Sequence, residues 1–107
     1  MTSAAMLVLT TCASTEEADG LAASLVGARH AACVNRIGGV RSTYRWQGAV
    51  QFDEEILLLI KTTEERLGAV KQTIEERSSY ELPEFLAVRV ETGSVRYLDW
   101  LARAVTG

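Results

Sequence analysis

The sequence predicts an α+β domain: a ferredoxin-like two-layer sandwich in the order βαββαβ, with one further helix at its C-terminal end. Three observations carry this prediction. Apolar or alternating runs at residues 4–11, 31–62 and 85–91 read as strands. Two longer segments between them place apolar residues at helical spacing. Gly38-Gly39 marks a break or bulge in the central stretch and Gln47-Gly48 a turn, so it reads as a hairpin rather than one continuous element.

Each element has its own signal. Residues 4–11 hold Met6, Leu7, Val8 and Leu9, a short β-compatible run. Ser14 and Glu17 have capping-box spacing and open a helix carrying Ala18, Leu21, Ala22 and Leu25. Gly20 and Gly27 weaken that helix by roughly 1 kcal/mol each relative to alanine, so packing must hold it. Beyond the glycine pair, Val40, Ser42, Tyr44 and Trp46 alternate with Arg41, Thr43, Arg45 and Gln47, a two-residue period. Residues 49–62 form the return strand, apolar throughout from Ile56 to Ile60. A second helix is predicted over 63–77 with Leu67, Val70 and Ile74 on one face. Pro83, the sole proline, disfavours helix at Leu82, so this helix ends by about Ser79. In an extended Tyr80–Glu84 segment, Tyr80, Leu82 and Glu84 would face one way, and Glu81 and Pro83 the other. After a last strand at 85–91, Gly93-Ser94 opens the last helix, with Tyr97, Leu98, Leu101 and Val105 near one face.

Length and charge bound the function. A chain of 107 residues is one domain with a modest core. Its net charge of −3 provides no basic field for nucleic acid. Arg36, Arg41 and Arg45 among the ribbon aromatics read more simply as edge charges that oppose aggregation. No apolar run nears the ~20 residues of a membrane span, and no leader pattern opens the chain. Two cysteines make neither a disulfide framework nor a zinc set, so a reducing, cytoplasmic setting is expected.

The central hairpin is too long for a two-helix sandwich. Residues 49–62 span roughly 45 Å at ~3.3 Å per residue. The ribbon nevertheless carries Val40, Tyr44, Trp46, Val50 and Phe52. Exposed apolar surface and open strand edges invite pairing with other copies, against the alternative that the ribbon bends over its own sheet.

Chemistry-bearing residues are few. Cys33 and the only histidine, His30, are soft-metal ligand types three residues apart. The plainer readings are a small buried hydrophobe and a residue favoured near a helix C-terminus. Cys12, at a strand-to-helix turn, is expected to be more exposed, with a thiol pKa lowered by the helix N-terminus. Glu16, Glu17, Asp19 and Asp53-Glu54-Glu55 read as solvated faces. Tyr80, Glu81, Glu84 and Lys61 could share a cleft suited to acid–base work, but no nucleophile accompanies them.

Five segments then occur in register: Ala31-Ala32-Cys33-Val34-Asn35, Ser42-Thr43-Tyr44-Arg45-Trp46-Gln47-Gly48, Ile60-Lys61-Thr62, Tyr80-Glu81-Leu82-Pro83-Glu84 and Gly93-Ser94-Val95-Arg96-Tyr97-Leu98-Asp99-Trp100. Together, from about Met6 to Leu101, they resemble the CutA family of divalent-cation tolerance proteins. The resemblance implies a PII-like homotrimer assembled through extended β-hairpins and a role in the response to divalent metals, copper above all. It implies no enzyme and no obligatory cofactor; copper or another divalent cation is the candidate ligand. It places Cys33, Trp46, Lys61, Tyr80, Glu81 and Glu84 at signature positions, several of them lining an inter-subunit cleft. By likeness to PII proteins, such a cleft would suit a small metabolite or nucleotide equally. Direct metal contact would rest on Cys33, on His30 or on carboxylates. The sequence departs from the family pattern in one respect. Ser78-Ser79 stand where the family usually has His-Pro, which removes an imidazole ligand and a stiffening proline.

Overall fold

In the computed structural model, which describes residues 3–107, four strands form one antiparallel sheet in the order β2-β3-β1-β4. The strands are β1 (Ala5–Cys12), β2 (Cys33–Trp46), β3 (Ala49–Thr63) and β4 (Leu86–Arg89). The helices are α1 (Thr15–Gly27), α2 (Leu67–Arg77) and α3 (Val95–Ala104). The element order is the one expected, and β3 lies between β1 and β2, the strands joined through α1.

Burial along β1 alternates strictly, with Met6, Val8, Thr10 and Cys12 inside. The register carries that face across to Thr62, Ile60, Leu58 and Ile56 on β3. Against it pack Ala18, Leu21 and Leu25 of α1 with Val70 and Ile74 of α2, giving one continuous core. Two of the three buried threonines bond to backbone: the Thr10 hydroxyl donates to the Glu84 carbonyl and that of Thr62 to the His30 carbonyl, both at 2.6 Å. The start of α1 is fixed by its cap. The Glu17 N–H donates to Ser14 Oγ at 3.1 Å, and Glu17 Oε2 accepts from the Ala13 N–H at 2.9 Å.

The opposite face is largely uncovered. Leu7, Leu9, Leu57 and Leu59 share it by register and are only half-buried. Ile37 on β2 and Leu86 and Val88 on β4 extend it and are 42%, 59% and 53% exposed. Only α3 reaches this side, where Leu101 and Val105 close over Ala5 and Ala32 at one end.

The hairpin forms as expected and projects from the body. The β2–β3 register slips between Ile37 and Val40, with Gly39 at φ 72°, a bulge that glycine alone adopts without strain. Gln47 and Gly48 both have positive φ, as a two-residue primed turn requires. The molecule measures 46 × 26 × 22 Å, and Val50 and Phe52 stay more than half exposed, so the ribbon does not bend over its own sheet.

Several local expectations are corrected. β3 continues through Thr63, which pairs with Ala5, so the second helix does not begin there. A 3-10 turn at Glu64–Arg66 comes next and α2 starts at Leu67. The last strand spans only Leu86–Arg89 rather than 85–91; beyond it the Val90 N–H donates to the carbonyl of Ala5, where β1 begins. Cys12 is buried, not exposed: it continues the inward period of β1 by one more residue. Burial and then the nearby charges of Glu17 and Glu55 push its thiol up to about 11, the reverse of the expected lowering. At pH 7 Cys12 is then overwhelmingly the unreactive thiol. Brief iodoacetamide exposure followed by peptide mass mapping should leave Cys12 unlabelled in the folded protein and labelled in urea.

Candidate functional site

The segment from α2 to β4 is held bent, and this shapes the site. Glu17 reaches across from α1, its Oε1 accepting the Ser79 N–H at 2.6 Å. Ser78 Oγ accepts the Tyr80 N–H at 3.1 Å, a local serine turn. The chain bends at Tyr80–Leu82. The expected extended alternation is thereby broken, and Tyr80, Glu81, Leu82 and Glu84 all line one cavity. Glu17, read from sequence as a solvated acid, instead ties the cap of α1 to this segment.

The cavity measures about 630 Å³ and lies between the bent segment, the end of β1 at Thr11 and the hairpin. The hairpin contributes residues 42–46 of β2, including Tyr44, Arg45 and Trp46, and Glu55 of β3. Four of the residues expected to line a cleft therefore meet: Trp46, Tyr80, Glu81 and Glu84. Lys61 does not join them. It stands opposite Leu7 and Cys33 on the open sheet face, with Nζ 5.9 Å from the Tyr97 ring centroid. Six residues of strand separate it from Glu55, about 20 Å.

Glu55 is the residue that sequence reasoning missed. The Tyr80 hydroxyl donates to Glu55 Oε2 at 2.7 Å, and the Tyr44 hydroxyl donates to Asp53. Burial, then the hydrogen bond to Glu55, raises the Tyr80 phenol well above its ordinary range. Burial, then the Glu55 charge, raises the Glu84 carboxyl. Among the described residues the only ion pairs are Arg36–Asp19 and Arg89–Glu64. Glu55, Glu81 and Glu84 thus sit in one cavity with no ion-pair partner among the described residues.

The raised Glu84 pKa has a consequence for stability. The folded chain holds a proton on Glu84 at a pH where the unfolded chain has released it. The stability this group contributes is present below the ordinary carboxylate pKa and is lost as pH rises through the raised value. Glu84→Gln should therefore flatten the fall of stability across the weakly acidic range and stabilise the protein at neutral pH. Urea unfolding of both proteins from about pH 4 to 8 measures this, and parallel curves would contradict it.

The two soft-ligand candidates lie elsewhere. Cys33 opens β2 and is half-buried opposite Lys61. His30 follows the left-handed Arg29 (φ 61°) and is half-buried, its Nδ1 buried without a hydrogen-bond partner among the described residues. No three His, Cys, Asp or Glu side chains converge in a metal-binding arrangement among the described residues.

Comparison with known proteins agrees with this fold and these segments. Residues 6–104 match the family described as CutA1 divalent ion tolerance protein. The divalent-cation tolerance protein CutA of Thermus thermophilus is 44% identical over 95 residues, covering 89% of this chain and 92% of that protein. The chloroplastic protein CutA 1 of Oryza sativa is 38% identical over 90% of this chain; the chain spans 54% of that longer relative. The crystal structure of CutA from Xylella fastidiosa superposes with a TM-score of 0.94 at 38% identity, covering 97% of this chain and all of the other. With nearly its whole length matched, from the strand at Met6 to the last turn of α3, the chain belongs to the CutA1 divalent ion tolerance family.

Proposed function

We propose that this protein acts as a cytoplasmic homotrimer in the response to divalent cations of the copper type, without catalysis of its own. The ferredoxin-like sheet would assemble through its long hairpins in the PII-like manner. The observation that carries the assembly is the open apolar face of Leu7, Leu9, Leu57 and Leu59, continued by Leu86 and Val88. A sheet covered by helices on one side only leaves this surface in water unless another subunit covers it. The exposed ribbon residues Val50 and Phe52 add to the same driving force.

Metal contact in this reading is direct but weak. It would rest on one or two of the cavity carboxylates Glu55, Glu81 and Glu84 with water completing the shell, or on Cys33, since no three His, Cys, Asp or Glu side chains converge among the described residues. Oxygen ligands alone favour harder ions and hold copper loosely. Calorimetric titration with Cu²⁺, Zn²⁺ and Mn²⁺ tests this, using the unaltered protein, Cys33→Ser and Glu81→Gln. Binding that survives Cys33→Ser and falls in Glu81→Gln supports the carboxylate site. Binding lost in Cys33→Ser moves the site to the thiol. No binding below about 1 mM rules out direct contact.

A second reading is favoured by the dimensions of the cavity. A volume of about 630 Å³ lies within the range of small-molecule sites and far exceeds one metal ion. In that reading the trimer is a sensor whose clefts bind a small metabolite or nucleotide. No helix among the described residues is long and apolar enough to cross a membrane, and the net charge of −3 argues against nucleic acid as a partner.

A further inference from the structure

Resting on the second reading, the sign and shape of the cavity narrow the class of ligand. Its charged lining is three glutamates, Glu55, Glu81 and Glu84, against the single cation Arg45. Arg45 forms no ion pair with any of them. The remaining large walls are aromatic: Tyr44, Trp46 and Tyr80. The hydroxyls of Tyr44 and Tyr80 already donate to Asp53 and Glu55, so these donors are committed to the protein's own carboxylates and are not free for an anion. A nucleotide phosphate entering here would meet three carboxylates against one guanidinium, that of Arg45. A bare metal ion would occupy a small part of the space and find no convergent ligand set among the described residues.

We infer that the cavity bounded by Trp46, Tyr80, Glu81 and Glu84 binds a small organic cation, an ammonium group carried on an apolar body. The ammonium would take the acceptor oxygens of Glu81 and Glu84, while the apolar body lies against Trp46 and Tyr44. Two kinds of attraction then act on one ligand. Carboxylates without a cationic partner accept charge-assisted hydrogen bonds, and aromatic rings attract a cation that is partly removed from water. Glu84 is already pushed toward its protonated form by burial and by Glu55. A bound ammonium would reverse that, so ligand and ionised Glu84 stabilise each other. Neither a neutral nor an anionic molecule of the same shape gains this.

The test uses the intact chain with Trp100→Phe, which leaves Trp46 as the only tryptophan. Its fluorescence is titrated with phenethylamine, with the neutral isostere phenethyl alcohol and with phenylacetate. The expected result is saturable binding of the amine about tenfold or more tighter than the alcohol, with the acid weakest. Glu84→Gln and Glu81→Gln should each weaken the amine by about tenfold and leave the alcohol unchanged. Equal affinity for amine and alcohol, or preference for the acid, overturns the inference. So does amine binding that ignores both glutamine variants. If none of the three probes binds while ATP raises the melting temperature, the sensor reading stands and the organic-cation inference falls. If ATP also has no effect, both fall.

Discussion

Leu59→Asp is expected to turn the assembled protein into single chains while leaving each chain folded. Leu59 lies on the open sheet face and is only half-buried within one chain, so a carboxylate there remains partly hydrated in the monomer. In the proposed assembly the same position is covered by another subunit, and an unpaired buried carboxylate costs several kcal/mol. About 4 kcal/mol corresponds to a thousandfold loss in association. The circular dichroism spectrum should keep its mixed α/β shape while sedimentation shows the smaller species. Glu54→Gln, on the exposed ribbon, should leave both measurements unchanged. An assembled Leu59→Asp protein would mean that this face is not the interface.

Leu58→Ala should have an equally large effect of a different kind. Leu58 is adjacent in sequence but fully buried on the helix side, within the cluster formed by β1, α1 and α2. Truncation removes its transfer free energy and leaves a cavity, at about 2–5 kcal/mol. That loss belongs to each chain and should appear in urea unfolding as a lower midpoint. Leu58→Met, which conserves volume, should cost under about 1.5 kcal/mol. The two neighbours thus separate the energetics of the core from those of the assembly, because adjacent strand residues point to opposite faces.

That pair also shows what was legible in the sequence. The apolar run Met6–Leu9, the Ser14–Glu17 cap, the break or bulge at Gly38-Gly39 and the Gln47-Gly48 turn are local signals, and each marks its element directly. The unbroken apolar run Ile56–Ile60 carried a further signal: a strand apolar on both faces is covered on both faces. Its even-numbered residues face the helices, and Leu57 and Leu59 between them form the open face. Cys12 is a similar case, since extending the inward period of Val8 and Thr10 by two residues predicts its burial.

The site was less legible because it depends on contacts distant in sequence. Tyr80, Glu81 and Glu84 are near neighbours and Trp46 joins them through the projecting hairpin, but nothing local shows that Glu55 receives the Tyr80 hydroxyl across 25 positions. Glu54 and Glu55 look alike in sequence. Only the pairing of Glu55 with Val40 across the bulge puts it on the face of Ser42 and Tyr44. Lys61 shows the converse, a residue in a recognisable motif that lies about 20 Å along the strand from that cluster. The bend at Tyr80–Leu82 likewise follows from Glu17, some sixty residues upstream, and not from Pro83 alone.

The central claim is that one face of this sheet is completed by other copies of the chain. Light scattering coupled to size exclusion at micromolar concentration tests it most directly. The account predicts a particle of three times the 11.7 kDa chain mass. A particle of the single-chain mass would contradict it.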